Sequence, residues 1–126
     1  MIMTIKLDTA LKLNVVLKSI IDNTDLKIDP LFKFKLLGIM KNLEIPISNF
    51  EAIRNEKIRE YGKEDKDGNF SILKEDVENM EKFVKDIDAL VDSDVEVNIQ
   101  ALKVTDVFNK GLPADYLVGL YPIIEE

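Results

Sequence analysis

Apolar residues recur at helical spacing through most of this chain and alternate in two short stretches. Ala10, Leu13, Leu17 and Ile20 fall on one side of a helix, with Val16 and Ile21 widening the stripe. Lys12, Asn14, Lys18 and Ser19 take the other side. Phe32, Leu36, Ile39, Met40 and Leu43 form a second stripe. Asp29-Pro30 opens it: Asp caps, and a proline at the first helical position loses nothing, because that N–H has no intrahelical partner. Val77, Met80, Val84, Ile87 and Val91 form a third stripe. Ile2–Leu7 and Asp94–Ile99 instead alternate as half-buried strands do, with Val95, Val97 and Ile99 on one face. The pattern predicts an α+β fold, predominantly helical. An antiparallel helical hairpin spans about 48–62 and 75–92, N-terminal helices precede it, and a small antiparallel sheet pairs 2–7 with 94–100.

Local punctuation sets the expected boundaries. Asp8 or Thr9 is placed to cap the first helix, and 22–25 are turn formers that end it. Gly38 offers a close helix crossing. Pro46 is expected to break or kink the second helix, since it lacks an N–H and clashes with the preceding turn. Ser48-Asn49-Phe50-Glu51 then reads as a capping box, with Ile47 and Ala52 as a hydrophobic staple. Phe50, Ile53, Ile58 and Tyr61 continue an inner face to a stop at Gly62. Asp67-Gly68-Asn69 signals a turn, and Phe70-Ser71-Ile72 a brief strand. Glu75, Asp76 and Glu78 suit the first turn of the second arm, where the helix dipole favours acids. In the tail, 105–109 reads as a short helical turn, and Ala114–Leu120 as a helix stopped by Pro122. The residues leave open whether Ile123 and Ile124 are buried or form an exposed end. The hairpin seam, with Val84 and Ile87 mid-stripe, is expected to dominate stability.

The 126 residues, 46% hydrophobic, suit one domain over 1–126 with a real core. Cysteine and histidine are both absent. That excludes disulfides and thiolate metal sites, and removes the usual general base near neutral pH. Lys6, Asp8 and Lys12 interrupt any signal-peptide core, and no apolar run nears the ~20 residues of a membrane span. The expectation is a soluble chain that is not secreted by a signal peptide.

The net charge of −7 is unevenly spread. Residues 1–43 carry seven lysines and four acids, a net +3. Residues 44–102 carry eight cations and sixteen acids, a net −8. Glu60, Glu64, Asp65, Glu75 and Glu78 flank the hairpin connection and are the candidate partner-binding surface. Other constellations read as ordinary surface. Aligning Gly68 with the glycine of a calcium loop puts Lys63 and Lys74 at the first and twelfth ligand positions, where cations refute the site. Asp92, Asp94 and Glu96 could hold magnesium, yet no substrate-positioning motif accompanies them. Lys27, Lys33, Lys35 and Lys41 with Phe32 and Phe34 could form a basic aromatic patch for nucleic acid, but the chain is acidic and Phe32 fits the core stripe. DNA mimicry by the acidic helices is diluted by Lys57, Lys63, Lys66, Lys82 and Lys85. No phosphate-binding or nucleophile motif occurs, so no catalytic residue, cofactor or metal ligand is assigned.

Four segments stand out: the run from Arg59 through Tyr61-Gly62-Lys63-Glu64-Asp65-Lys66-Asp67-Gly68-Asn69, then Glu78-Asn79-Met80-Glu81-Lys82-Phe83, Asp94-Val95-Glu96-Val97 and Leu112-Pro113-Ala114-Asp115-Tyr116-Leu117. These segments resemble small uncharacterised proteins encoded by tailed phages and prophages of Gram-positive bacteria. The resemblance implies a phage context, in the host bacterial cytoplasm or the virion, and offers no catalytic residues to carry over. The expected function is therefore non-enzymatic: a virion structural or assembly component binding itself and other phage proteins, without direct nucleic-acid or membrane contact. The alternative is an inhibitor of a host defence or regulatory protein, its acidic face meeting a basic host surface.

Overall fold

A computed structural model describes residues 2–108 and 111–125. Its core forms where the first two stripes meet. Helix α1 (Leu7–Asp22) buries Ala10, Leu13, Leu17 and Ile20, the four positions its periodicity predicts. Helix α2 (Pro30–Tyr61) lays Phe32, Leu36, Ile39 and Leu43 against them. Strand β1 (Ile2–Lys6) leads directly into α1, so Lys6 rather than Asp8 or Thr9 stands at the N-cap. It pairs antiparallel with β4 (Asp94–Asn98) in the register Ile2↔Asn98 to Lys6↔Asp94, the predicted partnership. Met3 faces Val97 and Ile5 faces Val95 across the ribbon, and all four lie in or against the core. A two-stranded ribbon is marginal alone; packing on helices holds this one.

Three expectations about α2 are corrected: a break at Pro46 with a new cap at Ser48, the staple, and the crossing at Gly38. The helix runs through Pro46 without ending there, so Ser48 caps nothing and is an interior helical residue. The staple fails with it: Ala52 is exposed and Ile47 leans on the core instead. An interior proline costs a helix about 3 kcal/mol. Here the helix is anchored by buried side chains before the proline and by contact with a later helix after it. Gly38 hosts no close crossing either, since nothing lies within 4 Å of a Cβ built there.

The third stripe sits on helix α3 (Val77–Val91), which packs antiparallel along the distal half of α2 and completes the hairpin. Asp76 caps it by accepting from the Asn79 amide at 3.3 Å. The expectation that this seam dominates stability is overturned. No residue of α3 is fully buried, and Val84 and Val77 are 47% and 60% exposed. The covered side of α3 runs through Met80, Phe83, Ile87, Leu90 and Val91, so the predicted stripe is rotated, and Val77 and Val84 fall outside the seam.

The tail closes the other end of the core. Helix α4 (Val104–Val107) and helix α5 (Ala114–Leu120) bury Val107 and Leu120. The predicted turn at 105–109 thus starts one residue late, and its predicted end lies outside the described residues. Strand β5 (Leu102–Lys103) pairs with β6 (Ile124–Glu125), in parallel, a pairing that periodicity did not foretell. It resolves the open question at Ile123, which is 1% exposed. Gly119 lets α5 sit on α1: a Cβ there would come within 2.9 Å of Val16 Cγ1. The link between α2 and α3 is a small antiparallel ribbon, here β2 (Lys63–Glu64) and β3 (Phe70–Ser71).

Candidate functional site

The five carboxylates proposed from the sequence gather at the hairpin connection. Glu60 is in the last turn of α2, Glu64 lies in β2, Asp65 opens the turn, Glu75 precedes α3 and Glu78 is in its first turn. The turn is built around Asp65. Its Oδ1 accepts from the amides of Asp67 (2.8 Å) and Asn69 (3.0 Å), and the Asp65 amide donates to the Asn69 carbonyl at 2.8 Å. Gly68 takes φ +82°, a left-handed conformation that glycine adopts without penalty. Asp65 is therefore largely a structural carboxylate.

Two more of the five are neutralised locally. Glu60 accepts from Lys57 Nζ at 2.9 Å, and Glu78 pairs with Lys82 at 3.4 Å. Among the described residues Glu64 and Glu75 make no ion pair. The surface is thus less uniformly anionic than the residue count suggests. Arg59 adds a cation 6.0 Å from the centre of the Phe70 ring.

The residues that tie the two arms together were not picked out from the sequence. Tyr61 Oη donates to Asp86 Oδ2 at 2.7 Å, joining the end of α2 to the middle of α3. Lys57 Nζ lies 3.8 Å from the same carboxylate and 5.8 Å from the centre of the Tyr61 ring. The hydrogen bond to Asp86 chiefly raises the Tyr61 hydroxyl above its usual 10.0, with desolvation and the carboxylate's charge acting the same way. Lys57 is raised above 10.5, first by its hydrogen bond to Glu60, against some desolvation. A polar clamp thus stands where a seam of buried aliphatics was expected. The only sequence signal for it is Asp86 breaking the apolar side of α3, which periodicity reads as a solvated position.

Other candidates separate in space. Asp92 pairs with Lys6 at 3.2 Å, and no group of three acids among the described residues is placed to hold a metal ion. Of the basic aromatic patch, Phe32 is buried, Phe34 is 74% exposed, and Lys35 lies 4.0 Å from Asp106. No described helix is long and apolar enough to cross a membrane.

Exposed large apolar side chains are the surface's other marked feature. Leu31, Phe34 and Ile45 of α2 are 68%, 74% and 72% exposed. Val77 and Val84 stand on the outer side of α3. Between the two helices, Ile45, Pro46, Phe50 and Ile53 meet Leu7, Leu90 and Val95 around an open apolar groove of about 310 Å³. No protein-family model, curated protein or solved structure matches this chain.

Proposed function

We propose that this chain is a non-enzymatic phage protein that acts through protein–protein contacts, as a virion structural or assembly component. The observation that carries the reading is the set of exposed apolar side chains along α2 and α3. Scattered exposed leucines are normal, but apolar residues grouped on one helix face mark contact surfaces. The phage setting rests on the resemblance at the hairpin turn and the 112–117 segment. Mass spectrometry of purified virions and assembly intermediates tests it. The chain is expected in one or the other, and its absence from both rejects the reading. The non-enzymatic half is tested by incubation with Mg²⁺ or Mn²⁺ and nucleic acid, nucleotides or peptidoglycan. Turnover lost in Asp94→Asn or Glu96→Gln would overturn it.

A second reading, inhibition of a basic host protein, is favoured by the gathering of Glu60, Glu64, Asp65, Glu75 and Glu78 at one end of the hairpin. Association steered by that charge would slow as salt rises. A host-lysate pull-down at low and high salt separates the two. A single host partner lost on Glu64→Lys with Glu75→Lys supports inhibition, and recovery of phage proteins alone supports assembly.

A further inference from the structure

The β1–β4 ribbon has two edges, and the fold treats them differently. In an antiparallel ladder, alternate residues turn their amide and carbonyl toward the neighbouring strand, and those between turn them away. The Leu7 amide donates to the Ser93 carbonyl at 2.9 Å, in line with the β1–β4 register. Met3 and Ile5 share that phase and bond across to Val97 and Val95. Ile2, Thr4 and Lys6 therefore direct their backbone groups to the far side of β1. The same alternation turns Asp94, Glu96 and Asn98 outward from β4. There α2 packs beside the strand, and Asn42 Nδ2 donates to the Asn98 carbonyl at 2.7 Å.

Among the described residues nothing comparable closes the outer edge of β1. Its sheet ends with it, and its main neighbours are β4 and the helix it leads into. Thr4 is exposed, and Ile2 is 67% exposed. Native sheets commonly guard such an edge with a lysine. Here the lysine is drawn off along the ribbon: Lys6 Nζ lies 3.2 Å from the Asp92 carboxylate and 2.9 Å from the Asp92 carbonyl oxygen.

We propose that the open edge of β1 pairs with β1 of a second copy of the chain, antiparallel about Thr4, so that two ribbons join into one sheet in the order β4–β1–β1–β4. Self-complementarity of the edge identifies the occupant. A twofold contact requires that if residue i meets j, then j meets i. Centred on Thr4, the pairing sets Ile2 against Lys6, Met3 against Ile5 and Thr4 against itself. Each Thr4 amide donates to the other Thr4 carbonyl, and each Lys6 amide to the opposite Ile2 carbonyl. The Lys6 carbonyl is already engaged at the start of α1. Every side chain keeps its face: Met3 and Ile5, which pack on the core, continue each other, and Thr4 meets Thr4, a favourable cross-strand pair. A slip of one residue would turn the apolar side chains to water. Lys6 is the only charge on β1, and it meets Ile2 rather than a second lysine. Joining the ribbons also relieves the marginal stability of a two-stranded sheet. This edge is separate from the exposed apolar side chains of α2 and α3, so the pairing goes beyond the proposed function and does not depend on it.

Sedimentation of the full chain at rising concentration tests the pairing, with Thr4→Pro, Ile2→Lys and Ile2→Glu. Proline at Thr4 removes the outward donor and no bond of the β1–β4 ladder, and melting by circular dichroism checks that the monomer folds. The wild type is expected to dimerise, and Thr4→Pro to weaken dimerisation about tenfold or more. Ile2→Lys, facing Lys6 of the second copy, is expected to weaken it about threefold, whereas Ile2→Glu retains it. Hydrogen exchange reads the same contact without a substitution: the wild-type Thr4 amide should be protected at high concentration and exchange freely on dilution. A wild type that stays monomeric at about 100 μM overturns the proposal, since even weak specific pairs associate there. So does a dimer indifferent to Thr4→Pro, a dimer on which both charges at Ile2 act alike, or Thr4 exchange that ignores concentration. Absence of the chain from virions and intermediates rejects assembly and leaves this pairing standing.

Discussion

The two ends of α2 live in different physical environments. Up to Leu43 the helix is held by α1, β4 and the C-terminal tail, and its inward side chains are almost wholly removed from water. Beyond Pro46 it has α3 as its main partner, no fully buried residue, and a clamp of Tyr61, Asp86, Lys57 and Glu60. Apolar burial stabilises in proportion to area removed from water, whereas exposed ion pairs contribute little. The proximal half therefore carries the stability of the fold. The hairpin is the part that can open, repack or be covered by a partner at low cost.

The contrast breaks most readily at its strong end. Leu36→Ala, at a position with no exposure, is expected to cost about 2–5 kcal/mol in urea unfolding. A loss under ~1 kcal/mol would mean the proximal core is misassigned. Gly119→Val comes next, because the added side chain meets Val16 where α5 rests on α1. Overpacking of this kind costs about 1–3 kcal/mol, read as a lower unfolding midpoint.

At the weak end, Asp86→Asn should leave the global midpoint near wild type while raising amide exchange along α3. The same variant sharpens a pH argument. Tyr61 is raised above 10.0 in the folded protein, so its contribution is fully present below pH 10 and is lost as pH climbs through the elevated value. Lys57, raised above 10.5, has the same sign. Tyrosinate absorbance should show a late-ionising component in wild type that moves to lower pH in Asp86→Asn. An unchanged titration would remove the clamp. Smallest of all is Val84→Ala: at 47% exposure it is expected to shift stability by no more than ~0.5 kcal/mol. A loss of 2 kcal/mol or so, typical of a buried position, would restore the hairpin seam to the core.

The sequence by itself determined the elements whose apolar pattern is long and whose partner is dictated by that pattern. The α1 stripe, the Phe32–Leu43 stripe, the β1–β4 pairing and the Ala114–Leu120 helix were all legible in it. Amphipathic periodicity is a property of neighbouring residues, so it survives without the fold. Tertiary structure decided what covers each stripe. It left α3 half-covered, carried α2 through Pro46, and paired Leu102–Lys103 with Ile124–Glu125 across more than twenty residues. A two-residue strand is too short to show a period, and a lone proline reports only its local cost. The contacts that offset that cost are non-local. The candidate surface divides in the same way. The acids at the hairpin turn could be read from spacing, but their neutralisation by Lys57 and Lys82 and the Tyr61–Asp86 link exist only once the helices are set side by side.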